Sequence, residues 1–338
     1  MMKTIFDQKL KVKPDRLKGK AAAVSVIEMP PYQTLIEIAE GAPLEETAYF
    51  KMFIQRGNSP AQAKEYVELF LGKNGKARDS SWQPRISANI DGQGNIILNS
   101  GYEDAAIAAR LNIPEVEVEI VSRSPLWEDL VTRLYNVRGE RFSYQPVFPE
   151  QEHPEFQTWN FARGRERAQL ISEDVGSLDG QSWLDVGSLT GFQSRMLERC
   201  GAKVMGVEMH APYVEIAQLL NQVQGTNVQY EKQKLRQWLA QNKRTFDGVL
   251  CLSIIHNIAQ MGDPKGAKNA LKSLSKLSPV MYFDIGQANE GEKVTGSGLD
   301  LREDNLRQFI TGNSDYSRVE IIGRERSYCG RALLKLSR

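Results

Sequence analysis

Between residues 182 and 285 the chain alternates between two hydrophobic rhythms. Short runs rich in apolar and β-branched residues, at 182–186, 203–207, 227–230, 246–253 and 280–285, read as strands. The stretches between them repeat their apolar residues every three or four positions. After Gly191 this places Phe192, Met196 and Leu197 on one helical face, and 212–224, 235–241 and 267–277 also read as helices. Strands alternating with helices imply right-handed crossovers and a parallel sheet covered on both faces. A further helix at 301–310 and strands at 318–322 and 331–336 would close the sheet with a hairpin.

The first half has its own alternation. A helix is expected at 45–55, and Ser59-Pro60-Ala61-Gln62 combines a serine cap, a proline at the first helical position and a glutamine that completes a capping box. That helix should run to about residue 71. Strands at 84–90 and 95–98 flank the turn Asp91-Gly92-Gln93-Gly94. Helix, strand and helix follow at 102–111, 116–121 and 125–135, making a compact α+β unit. The run Tyr144-Gln145-Pro146-Val147-Phe148-Pro149, with His153-Pro154 after it, favours extended backbone and marks a junction. The expected division is an α+β domain over 1–143, a linker and lead-in helix over 144–169, and an α/β domain over 170–338.

Composition narrows the class without naming it. At 338 residues, 41% hydrophobic, 25% charged and net charge +1, the chain has no overall electrostatic footprint for nucleic acid or an anionic membrane. No run approaches the roughly eighteen apolar residues of a spanning helix, and residues 1–20 lack the apolar middle of a signal peptide, so a cytoplasmic location is expected. Cys200, Cys251 and Cys329 are far apart, without metal-ligand spacing, and read as reduced core residues; no metal site is expected.

The chemistry concentrates at Ser182–His210, read as strand, glycine turn, helix and strand. Gly187 and Gly191 allow backbone conformations and close approaches that a Cβ would block, so a ligand could lie against the amides of the helix start. Glu208 ends the second strand, placed to accept hydrogen bonds from ribose hydroxyls. A dinucleotide fingerprint would need glycines where Leu189 and Phe192 stand, and Asp185 would repel a pyrophosphate. Asp185 suits instead a ligand that carries an ammonium and a sulfonium. Asp185, Gly187 and Gly191 resemble the first motif of the class I S-adenosylmethionine-dependent methyltransferases, with Leu189 in place of the middle glycine.

That resemblance implies a Rossmann-like, doubly wound, mostly parallel sheet with an antiparallel C-terminal hairpin, and S-adenosyl-L-methionine as cofactor. It implies cofactor contacts from Asp185, Gly187, Ser188, Gly191, Glu208, Met209 and Ser253. The family's adenine-binding acid is replaced by Lys234, leaving Glu231, Gln233 or backbone to hold the base. The tip Cys251-Leu252-Ser253-Ile254-Ile255-His256-Asn257 resembles methyltransferases of small molecules and of some RNA ends, and makes His256 either the candidate general base or a residue that caps or packs the following helix. Arg163 or Arg167 could face the cofactor carboxylate, or both could lie on a solvated helix face with surface ion pairs.

The order strand, turn, strand, helix, strand over 86–121 resembles the N-terminal domain of the ParB and sulfiredoxin superfamily, with Ser100-Gly101-Tyr102-Glu103-Asp104 where that family has basic residues. The implied fold would lack the phosphate chemistry. The expected function is methyl transfer to a small-molecule or saccharide-like acceptor. The alternative is a catalytically silent binding protein in which Leu189 and Lys234 mark a decayed site. Oligomeric state is not written in any of these patterns.

Overall fold

The structure is a computed structural model that describes residues 5–20, 24–77, 82–150, 152–286, 299, 303–326 and 330–338. Cys329, and the first two residues of the helix expected at 301–310, lie outside the described residues. Contacts divide the chain into one unit of 1–132 with 153–157 and a second of 133–152 with 158–338.

The first unit contains, in chain order, β1 (Lys9–Val12), β2 (Leu17–Lys18), α1 (Pro30–Ala39), α2 (Ala48–Gln55), α3 (Pro60–Lys76), β3 (Ile86–Ile90), β4 (Ile96–Ser100), α4 (Tyr102–Arg110), β5 (Val116–Arg123) and α5 (Pro125–Asn136), within which the division falls. The sheet order is β1-β5-β3-β4-β2, with β3 antiparallel to β4 and parallel to β5. The capping box at Ser59 forms as expected: Ser59 Oγ accepts from the Gln62 amide at 3.3 Å, and the Ser59 amide donates to Gln62 Oε1 at 3.0 Å. The helix it opens runs five residues past the expected end, to Lys76. In the hairpin turn Asp91 Oδ1 accepts the amides of Gln93 and Asn95, and Gly94, at φ +80°, lies so close to Trp127 that a Cβ would be 2.3 Å from its ring.

The element order expected over 86–121 is present. Glu103 and Asp104, at the start of α4, have structural partners. Asp104 accepts the Arg85 amide at 2.9 Å and lies 2.7 Å from Lys73 Nζ, while Glu103 accepts the Tyr49 hydroxyl at 2.8 Å.

The expected 144–169 linker is not a free connector. Residues 153–157 belong to the first unit because Glu155 forms a buried two-pronged pair with Arg123 at 2.8 and 2.9 Å. The His153 ring also packs 4.5 Å from that of Trp127.

The second unit begins with two short strands, β6 (Phe142–Ser143) and β7 (Asn160–Phe161), and α6 (Arg165–Val175). The alternation then runs β8 (Ser182–Val186), α7 (Phe192–Arg199), β9 (Lys203–Glu208), α8 (Ala211–Gln224), β10 (Gln229–Lys232), α9 (Leu235–Gln241), β11 (Gly248–Leu252), α10 (Ile255–Gln260), α11 (Pro264–Leu277) and β12 (Val280–Asp284). It ends with α12 (Glu303–Gly312), β13 (Arg318–Glu325) and β14 (Arg331–Ser337). The seven-stranded order is β10-β9-β8-β11-β12-β14-β13. The first five are parallel, and β14 is inserted antiparallel between β12 and β13. This is the doubly wound sheet with a terminal hairpin that the sequence implies.

Alternate residues of each strand feed two separate apolar layers. Leu184, Val186, Met205, Val207, Val249 and Cys251 face one, and Trp183, Val204, Leu250 and Leu252 face the other. The Trp183 ring lies over Gly248 of the neighbouring strand, where a Cβ would sit 2.3 Å from it. Cys251 is a buried free thiol, as expected, whereas Cys200 is only half-buried.

Candidate active site

The order of strands reverses between β8 and β11, so the crevice for a ligand lies outside the carboxyl ends of β8, β9, β11 and β12. Asp185, Gly187, Ser188, Glu208 and Ser253 gather there, at strand ends or in the turns just beyond them. Two shallow grooves elsewhere, one along α6 and β13 and one along α3, contain none of the expected site residues.

The glycine turn is built mostly from polar ties. Gly187 and Gly191 take φ +68° and +76°, and Leu189 takes φ +50° although it is no glycine. Left-handed backbone at a leucine costs free energy and persists only where the surroundings impose it. The tie is Glu208: its Oε2 accepts the Leu189 amide at 3.2 Å and its Oε1 the His210 amide at 2.8 Å. With Glu208 as its tie, Leu189 thus takes the left-handed backbone for which glycine is the ordinary choice.

Asp185 is buried and accepts the Ser194 hydroxyl at 2.5 Å, which makes it an anchor for the first turn of α7. Burial pushes its carboxyl up to about 6; the Ser194 hydrogen bond and Arg167 oppose that rise, and Glu208 adds to it. Because the folded value lies above the ordinary one, between about pH 4 and pH 6 the native state keeps a proton that the unfolded chain has released. Asp185 thus costs stability as pH rises from about 4 through about 6. Relative to Asp185→Asn, the wild-type protein should lose up to about 3 kcal/mol across that window. A cationic ligand favours the ionised form and should bind more tightly above pH 6 than below it. Denaturant unfolding and calorimetry at both ends of the window check this; parallel profiles for the two proteins would remove Asp185 from the account.

Three expectations change. The α7 start does not present bare amides to a ligand, because Gln145 Oε1 accepts the Phe192 amide at 3.2 Å and the Thr190 hydroxyl at 3.0 Å. Gly191 is also required for packing: a Cβ there would lie 2.0 Å from the Tyr230 hydroxyl. His256 is buried, and its Nδ1 accepts the Gly286 amide at 3.0 Å. An accepting Nδ1 leaves the ring proton on Nε2, so His256 is set as a donor and not as the general base expected at that strand tip.

Arg163 and Arg167 are buried, 4% and 2% exposed, so the solvated-face reading is excluded. Arg163 bonds Glu325 and lies 3.3 Å from Asp284, and Arg167 also bonds Asp284. Arg331 completes the cluster at 3.2 Å from Asp284. The Ser253 hydroxyl, expected among the cofactor contacts, donates to Asp284 at 2.8 Å and accepts from Arg331 at 2.9 Å. Burial alone would raise the Asp284 carboxyl, but Arg167, Arg163 and Arg331 together hold it far below the usual range.

Around the adenine end, Lys234 is exposed and Glu231 accepts from the Trp238 indole at 2.8 Å. Gln233 donates its amide nitrogen to Gln241 at 2.9 Å, which leaves its oxygen as the acceptor suited to an adenine amino group. Met209, next to Glu208, is 42% exposed and so offers apolar surface beside the crevice. One further group fits a ligand: the Ser188 hydroxyl, 1% exposed, has no hydrogen-bond partner among the described residues. A buried orphan hydroxyl costs free energy unless something else satisfies it.

This sheet order, with a glycine turn between an acid-bearing first strand and a second strand that ends in glutamate, defines the second unit as a class I methyltransferase domain, the S-adenosylmethionine-dependent kind. Residues 184–276 match the family model described as a methyltransferase domain. Among similar curated proteins, the ubiquinone biosynthesis O-methyltransferase of Pseudoalteromonas translucida is 30% identical over 142 residues, covering 39% of this chain and 60% of that protein. The corresponding Cronobacter sakazakii enzyme is 30% identical over 123 residues, covering 36% and 49%. The chain thus spans about half of these relatives' length. Among solved structures, that of the bifunctional kinase-methyltransferase WbdD aligns over 62% of this chain and 46% of its own, with TM-score 0.49 and 21% identity.

Proposed function

We propose that the second unit binds S-adenosylmethionine and transfers its methyl group to an oxygen of a small-molecule acceptor, in the cytosol. The observation that carries this reading is the turn held at Leu189 by Glu208, because it answers one of the two sequence departures, Leu189 and Lys234, that would argue for a decayed site. The oxygen acceptor is the class that the similar curated enzymes' names suggest.

When bound, the cofactor supplies a methyl already activated by its sulfonium. The chain's own task is then to orient and exclude water. Glu208 has carboxylate lone pairs left over for ribose hydroxyls, Ser188 has an unused hydroxyl in the turn, Gln233 offers its oxygen to the base, and Met209 offers apolar surface. Asp185, ionised at neutral pH, favours the cofactor's positive charges. Calorimetry with S-adenosylmethionine and with NAD tests the reading. Micromolar affinity for the first supports it, no affinity for either means a silent binding protein, and preference for NAD means an oxidoreductase.

A further inference from the structure

The cluster around Asp284 is made of side chains from five places in the sequence. Arg163 precedes α6 and Arg167 lies within it, Asp284 ends β12, Glu325 ends β13 and Arg331 opens β14. Each is at most 4% exposed. Beyond its pairing with Arg163, Glu325 accepts the Gly164 amide at 3.0 Å and lies 3.6 Å from Arg167 Nε. Buried ionic groups on this scale are weak stabilisers compared with apolar packing of the same volume, so their value lies in the geometry they impose.

What they impose is visible at Ser253, which sits at φ +63°, one of three described non-glycine residues in the left-handed region. Every polar group of Ser253 is tied. Its hydroxyl lies between Asp284 and Arg331, its amide donates to the Asp284 carbonyl at 3.2 Å, and its carbonyl accepts from Asn257 Nδ2 at 2.6 Å. The left-handed step at Ser253 turns the chain out of β11 and places Ile254 against the glycine turn. Ile254 Cδ1 lies 2.1 Å from where a Gly187 Cβ would be. Two residues beyond Asp284, the Gly286 amide holds His256 Nδ1. The tips of β11 and β12 are thus clamped twice, once on each side of Ile254.

We propose that Asp284 is a positioning residue for the cofactor site: gathered with the three guanidiniums, it holds Ser253 in its left-handed conformation and so lays Ile254 across the Gly187 end of the turn. The ligand side of this rests on the methyltransferase reading; the clamp itself does not. Glycine adopts this backbone without support, whereas alanine does not. That difference separates a positioning role from simple ionic glue.

The test uses the full chain as wild type, Asp284→Asn, and Asp284→Asn combined with either Ser253→Gly or Ser253→Ala. S-adenosylmethionine affinity is measured by calorimetry, and amide hydrogen exchange is followed over residues 253–257 without ligand. Asp284→Asn should weaken the cofactor by about tenfold or more and speed exchange at 253–257. The added glycine should recover much of both, and the added alanine neither. Equal behaviour of the two double variants, or wild-type affinity and exchange in Asp284→Asn, overturns the proposal. If Asp284→Asn does not fold, the single Ser253 variants decide: both lack the hydroxyl, so tighter binding and slower exchange in the glycine variant support the clamp, and equality overturns it. If the wild-type protein does not bind S-adenosylmethionine, the methyltransferase reading fails, and the exchange pattern alone supports or overturns the clamp.

Discussion

Gly191→Ala is expected to destabilise the protein by about 2–5 kcal/mol, the sum of a left-handed backbone penalty and an overpacking cost. Gly191 sits at φ +76° at the start of α7, and a Cβ would lie 2.0 Å from the Tyr230 hydroxyl and 2.6 Å from the ring carbon that bears it. The ring has little room to retreat, because its Cδ1–Cε1 edge lies over Gly206, where a Cβ would be 2.6 Å away. The contrast is Gly187, whose added Cβ would meet only the end of the Ile254 side chain, which can swing aside. Denaturant unfolding measures the loss. Adding Tyr230→Leu should recover the packing part and leave the backbone part, since leucine ends short of Gly191. A loss below 1 kcal/mol for the single variant would mean that Tyr230 does not fill this space.

The parallel sheet was legible because its strands are buried on both faces. Residues 246–253 needed no partner to be recognised, and the strand formed is Gly248–Leu252. Boundaries shifted where the pattern was weak, as at 227–230, where the observed strand is Gln229–Lys232. The glycine turn was legible as a shape, since Asp185, Gly187 and Glu208 are spaced by local geometry.

What the turn is tied to was not legible, because the ties come from afar. Gln145 caps α7 from 47 residues upstream. Arg163 and Arg167, four apart on a polar stretch, have the spacing of an exposed face, and only Asp284 and Glu325, more than a hundred residues later, make them internal. Ser253 gave no warning of its positive φ, for no rule of composition marks a serine held there by a carboxylate. The one available signal was arithmetic: a run with three arginines between 163 and 167 beside an apolar helix needs acids, and Asp284 is the only acid in the apolar run 280–285.

Glu208→Ala should weaken S-adenosylmethionine by about 1.5–3 kcal/mol, the range for hydrogen bonds to a charged group. The loss should divide into two parts. One is direct: a carboxylate has about four acceptor sites, and the amides of Leu189 and His210 use two of them, leaving the others for ribose hydroxyls. The second is indirect, because without Oε2 nothing at that position holds Leu189 at φ +50°, and the turn relaxes toward ordinary backbone. A 2′,3′-dideoxy analogue of the cofactor cannot make the direct contact but still needs the turn, so its affinity should fall by the smaller, indirect part. Amide exchange at Leu189 should quicken in the variant before any ligand is added. Equal losses for the two ligands would show that Glu208 acts through the turn alone. No loss at all with the dideoxy analogue would show that Leu189 keeps its conformation unaided, and that the carboxylate serves only the ribose.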